Sequence, residues 1–142
     1  MIRRLLLIAL AMAGLAGPAL AQGSPAPAVS AETFRGGSTA DLARLCGATG
    51  SATIAVAAVA YCHGFLAGVG QLHTVLTRDG GPLRSPYCVP EPRPSIEQVA
   101  ARFTTWAQAN PQFGGESAIS GLTRFAEAQY PCPAPTGAAR RR

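Results

Sequence analysis

The residues of this chain whose types could carry chemistry are Cys46, Cys62, Cys88, Cys132, His63 and His73. Cys62 and His63 stand side by side in AYCHGFLAGVG, residues 60–70. Haem attachment requires Cys-x-x-Cys-His, and no second cysteine precedes Cys62 at that spacing. A zinc site draws on closely spaced ligand pairs, whereas these cysteines are 16, 26 and 44 positions apart. A cysteine nucleophile needs a base within reach, and helix neighbours project about 100° apart, so Cys62 and His63 do not share a proton. His73 follows His63 by nearly three helical turns, which allows a common face but not a common ligand set. Thioredoxin-like Cys-x-x-Cys, Walker and Gly-x-Ser-x-Gly patterns are absent. The sequence thus assigns no catalytic residue, no metal ligand and no cofactor, and no enzyme activity is expected.

Disulfides suit the cysteines better, because an even count in an exported chain reads as a covalent framework. Export is written at the start. Arg3 and Arg4 precede an apolar run, Leu5–Leu15, and Ala19-Leu20-Ala21 offers a small-x-small cleavage site. Residues 1–21 are therefore expected to be a signal peptide, which places the mature chain in the periplasm with no stable membrane insertion. Residues 22–33, rich in Ser, Pro, Ala and Gly, read as a disordered leader, and residues 134–142, ending in Arg140-Arg141-Arg142, as a disordered basic tail. Residues 34–133 remain for one domain, in the size range where a single core gains from staples.

The net charge of +5 overstates the basic character of that domain. Between Phe34 and Pro133 stand seven arginines and six acids, a net of +1, and lysine is absent from the whole chain. No basic face for nucleic acid is indicated.

The elements that must position the cysteines are helices. Ser38 with Asp41 caps a first helix over about Thr39–Cys46, with Leu42 and Leu45 on one face. A second runs over about Thr53–Thr77, with Ile54, Ala58, Tyr61 or Cys62, Phe65, Val69, Leu72 and Leu76 at helical steps. Its nineteen-residue run Ala52–Gly70 is long enough to weigh as a membrane span. Strongly apolar residues are few there and His63 interrupts it, so a soluble core helix is expected. Gly64 and Gly68, four apart, predict close approach of another helix.

Ser95-Ile96-Glu97-Gln98 is a capping box opening a third helix, which carries Ile96, Val99, Phe103 and Trp106 and ends near Asn110-Pro111. A fourth follows PQFGG, with Ile119, Leu122, Phe125 or Ala126 and Tyr130 expected on its buried face, and stops at Pro131. The last two should form an antiparallel hairpin, with Cys88 before one and Cys132 after the other at the same open end. That geometry favours Cys88–Cys132 among the three possible pairings and leaves Cys46–Cys62. The expected fold is all-α, a small four-helix domain stapled by two disulfides.

Between the second and third helices, RDGGPLRSPYCVPEPRP holds five prolines and two glycines, which forbid regular structure while Cys88 ties the segment down. A rigid exposed loop loses little entropy on binding, so Arg78, Asp79, Arg84, Tyr87, Glu91 and Arg93 are candidate contacts for a partner. Phe113, in the link Asn110–Glu116, marks a second candidate edge.

In order, the chain shows a short helix ending LC, then CHGFLAGV, a proline-rich YCVP loop, SIEQVAARF, a helix end at ANP and a final YPC. This ordered set resembles the Rap/Tai family of periplasmic immunity proteins over about Thr33 to Pro133. Cys46, Cys62, Gly68, Cys88, Pro90, Pro111, Pro131 and Cys132 stand at its motif positions. The resemblance implies a small all-α protein, often a homodimer, that binds a peptidoglycan amidase delivered by type VI secretion and blocks its catalytic groove. The alternative is a periplasmic stress chaperone or scaffold of the Hde type with no toxin partner.

Overall fold

The computed structural model describes residues 29–133, so the expected signal peptide, tail and first part of the leader lie outside the described residues. Four helices form: α1 over Thr39–Cys46, α2 over Thr53–Thr77, α3 over Ile96–Ala109 and α4 over Ala118–Gln129. Short 3-10 turns cover Thr33–Arg35 and Pro111–Phe113, and no strand is present among the described residues. The packed region reaches back past the expected boundary at Phe34. Val29 lies against the core and Thr33 is buried.

Local chemistry sets three of the four starts. Ser38 Oγ accepts from the Asp41 N–H at 3.1 Å, and Ser117 Oγ accepts from the Ser120 N–H at 3.1 Å. Ser95 and Gln98 close a full capping box, with the Gln98 N–H donating to Ser95 Oγ at 3.3 Å and the Ser95 N–H donating to Gln98 Oε1 at 3.0 Å. Helix α2 starts after Ala52 without a side-chain cap and owes its place to packing and to a disulfide.

Although α1 is the shortest helix, it touches each of the other three, as α3 does. Its Leu42 and Leu45 are fully buried beside Phe103, Phe125, Ala58 and Cys62. The start of α1 also docks on the start of α4. The Thr39 N–H donates to the Glu116 carbonyl at 2.8 Å, Thr39 Oγ1 donates to the Ser117 carbonyl at 3.1 Å, and the Ala118 N–H returns to the Gly37 carbonyl at 3.2 Å. Gly121 makes this approach possible, since a Cβ there would overlap the Thr39 side chain. The aromatic core is made of edge-to-face pairs, Phe103 on Phe125 at 5.5 Å and Phe125 on Tyr130 at 6.1 Å.

Both disulfides are formed, Cys46–Cys62 and Cys88–Cys132, and free cysteines are absent. They tie α1 to the middle of α2 and the proline-rich segment to the end of α4, as the hairpin geometry predicts. They suit an oxidising compartment.

Three packing expectations are corrected. The inward stripe of α2 is Ala55, Ala58, Cys62 and Leu66, while Ile54 and Leu72 are 46% and 56% exposed. The cause is the disulfide: once Cys62 must meet Cys46, only positions in phase with Cys62 face inward. On α4, Ile119 is exposed, because the docking of Thr39 on Gly121 turns Ala118, Leu122, Phe125 and Ala126 inward. No helix approaches Gly64 or Gly68; a Cβ at either would meet nothing within 4 Å. By length and composition α2 is apolar enough to cross a membrane, yet it is neither enclosed as a core helix nor charged as a solvent helix. One stripe packs on α1 and α3, and the opposite face is bare.

Candidate functional site

The proline-rich segment between α2 and α3 is held at several points although it has no regular structure. At its near end the Gly81 N–H donates to the Arg78 carbonyl at 2.7 Å, and the Leu83 N–H donates to the Leu76 carbonyl at 3.0 Å. At its centre the Cys88 N–H donates to the Tyr130 carbonyl at 2.8 Å, alongside the disulfide to Cys132. Between these points it rests on α2. His73 Nε2 lies 2.8 Å from Ser85 Oγ, and its ring stacks on Tyr87 with centroids 4.1 Å apart and planes 11° off parallel.

Ser85 Oγ also donates to the Tyr87 carbonyl, so Ser85 joins the His73 ring to the backbone of the loop and the pair works as a structural pin. Partial burial, and after it the charge of Arg93, hold the His73 pKa below the ordinary histidine value and favour the neutral ring. Burial raises the Tyr87 pKa, which keeps the phenol protonated.

The expected loop contacts differ in exposure. Arg78, Asp79, Arg84, Glu91 and Arg93 are exposed, with Arg93 Nε 3.2 Å from Glu91 Oε1. Tyr87 is half-buried, turned inward on His73. Phe113 stands apart at the other end of α3, about 20 Å away at the helical rise for fourteen residues. Its ring is occupied on both sides, stacked on Trp106 at 5.8 Å and covered by the Arg124 guanidinium at 4.7 Å, which Glu116 holds at 2.8 Å. Phe113 thus joins its own edge of the molecule and not the loop.

Sequence reasoning missed four members of the loop surface. His73 and Ser85 are the pin, and nothing in a single histidine of a helix announces a partner twelve positions on. Leu83 and Val89 are 57% and 39% exposed, apolar side chains on an otherwise polar ridge. Their signal was available: an aliphatic residue in a proline-rich segment has no helix face by which to be buried.

Beside the loop, the second half of α2 diverges from α4 and leaves an open cleft of about 630 Å³. Buried Leu66, Leu122, Phe125, Ala126 and Tyr130 form its deeper wall, and Arg78 and Arg93 also line it. The Tyr130 hydroxyl is buried with no hydrogen-bond partner among the described residues. Among the described residues no three His, Cys, Asp or Glu side chains come together as they would around a metal ion. The arrangement suits binding through a fixed surface.

No curated protein and no solved structure matches the chain. A family model, that of the Rap1a immunity proteins, matches residues 38–132, which run from the cap of α1 to the second cysteine of the loop disulfide. The chain therefore belongs to the Rap1a immunity protein family, and is by that membership an immunity protein whose partner is a secreted effector.

Proposed function

We propose that this immunity protein acts in the periplasm, on a peptidoglycan amidase delivered by type VI secretion, and that it works by occluding the amidase's catalytic groove with no catalysis of its own. In this reading residues 1–21 direct export and residues 22–142 are the mature chain. The observation that carries it is the loop of residues 78–94, exposed over most of its length and yet fixed by a disulfide, by backbone hydrogen bonds to α2 and to the end of α4, and by the His73 pin. A surface fixed before binding pays little ordering entropy, which a tight inhibitor requires. Leu83 and Val89 supply exposed apolar contact, and Arg78, Asp79, Arg84 and Arg93 exposed charge, the mixture from which protein interfaces are made.

The test is capture of candidate amidases by the oxidised mature chain, followed by their hydrolysis of peptidoglycan. Retention of one amidase, with activity falling in proportion to the amount bound, supports the reading. A broad set of clients retained only at low pH would assign the chain to the stress chaperones instead. Charge reversal at Arg84 and Arg93 should weaken capture at least tenfold with the helical circular dichroism unchanged; equal capture would move the contact surface off the loop.

The reading includes a homodimer through the bare face of α2. Ala57, Ala60, Gly64, Gly68 and Val75 are exposed on that face and none is charged. Gly64→Arg would place a charge at its centre and should convert a dimer to a monomer by light scattering; a monomeric parent chain would sink this part.

A further inference from the structure

The cleft between α2 and α4 has walls of one kind and a mouth of another. Its deeper wall is aliphatic and aromatic, and its charged lining residues are Arg78 and Arg93, with no carboxylate. Along α2 it runs from Leu66 to Arg78, a span of about 18 Å at the helical rise. Several polar groups along it are already engaged, while the Tyr130 hydroxyl in the deeper wall has no hydrogen-bond partner among the described residues. Thr74 Oγ1 donates to the Gly70 carbonyl at 3.0 Å, Thr77 Oγ1 donates to the His73 carbonyl at 2.8 Å, and His73 Nε2 is hydrogen-bonded with Ser85 Oγ at 2.8 Å.

From this juxtaposition of a long apolar wall with two arginines at its mouth, we infer that the cleft binds a single-chain amphipathic anion, an alkyl or acyl chain ending in one carboxylate or phosphate head. The chain lies along Leu66, Val69 and Phe125, and the head reaches Arg78 and Arg93. A peptide is a poorer occupant, because its backbone N–H and C=O groups need partners and these walls offer few. An alkyl chain needs none. The Glu91–Arg93 pair is exposed on both sides, and an exposed pair of this kind yields readily to an incoming anion.

The test is titration of the oxidised mature chain with dodecanoate below its micellar concentration, followed by calorimetry and by amide NMR shifts. Saturable one-to-one binding is expected, with dodecanol, the same chain without the charge, at least tenfold weaker. Gly70→Phe projects a ring toward the cleft from a position where an added Cβ meets nothing within 4 Å, so the fold should stand and dodecanoate binding should fall at least tenfold. Arg78→Gln with Arg93→Gln should bring dodecanoate down to the affinity of dodecanol. Comparison of dodecanoate with lysophosphatidylglycerol then tells a free fatty acid from a phospholipid headgroup as the source of the anion. Absence of saturable binding, equal affinity for dodecanol, or undiminished binding by a folded Gly70→Phe chain would each overturn the inference. So would the pattern in which Gly70→Phe leaves dodecanoate unaffected but weakens effector capture, which would give the cleft to the protein partner.

Discussion

His73 holds the proline-rich loop by a stacked ring and a hydrogen bond with Ser85, and partial burial, then the charge of Arg93, favour its neutral ring. Because its pKa in the folded chain lies below the unfolded value near 6.5, its contribution is whole above that pH and is lost as the pH falls from there through the folded value. Amide exchange at Leu83 and Cys88 should therefore quicken on acidification in the parent chain and respond less in His73→Gln; equal pH slopes would deny His73 this role. Tyr130 gives the opposite kind of prediction. Its hydroxyl is buried and orphaned, so Tyr130→Phe removes an unmet polar group and should leave stability unchanged or raise it by up to about 1 kcal/mol on denaturant unfolding. A loss would reveal a partner for that hydroxyl. Gly121→Ala should cost about 1–3 kcal/mol, since its methyl meets Thr39 where α4 rests on α1. At this scale the sequence was least informative. Capping residues could be read because their partners lie three positions away, whereas the His73–Ser85 pin and the Thr39–Gly121 contact depend on where helices come to rest.

Helices and staples were far more legible. Periodicity, capping residues and the breaks at Gly47, Gly50, Asn110 and Pro131 locate all four helices, and the open end of the hairpin pairs Cys88 with Cys132. What periodicity alone left open was the rotation of α2. An apolar helix of 25 residues offers several plausible stripes, and only the bond from Cys62 to Cys46 selects one. The two disulfides also differ in what they protect. Cys62 is fully buried in the core and its bond closes a separation of 16 residues, while Cys88 and Cys132 are both exposed and close 44. In the chain-entropy model these loops contribute about 3 and about 4 kcal/mol. Replacing Cys46 and Cys62 by serine adds buried hydroxyls to the lost constraint, and should abolish cooperative melting near ambient temperature. Replacing Cys88 and Cys132 by serine should keep the helical circular dichroism while releasing the loop and lowering effector capture at least tenfold. The reverse order of severity would contradict this division between a core staple and a loop staple.

For the molecule as a whole, a small helical body holds one irregular segment rigid and leaves two apolar features uncovered, the outer face of α2 and the cleft beside α4. Charge carries little of the account, since the described domain is nearly neutral, and the arginines that matter act locally around the loop. The family was legible from the order of its motifs because cysteine and proline positions record the fold. The proposed contact surface was legible only in outline, since Leu83 and Val89 are read as exposed anchors once their exposure on the loop is seen. The most direct test is a stoichiometric titration of an amidase effector's peptidoglycan hydrolysis with the oxidised mature chain and with its Arg84→Glu, Arg93→Glu variant. Complete inhibition at an equimolar ratio by the parent chain, with at least tenfold more of the folded variant needed, is the predicted result. Full amidase activity in excess parent chain, or equal inhibition by both proteins, would contradict occlusion by this loop.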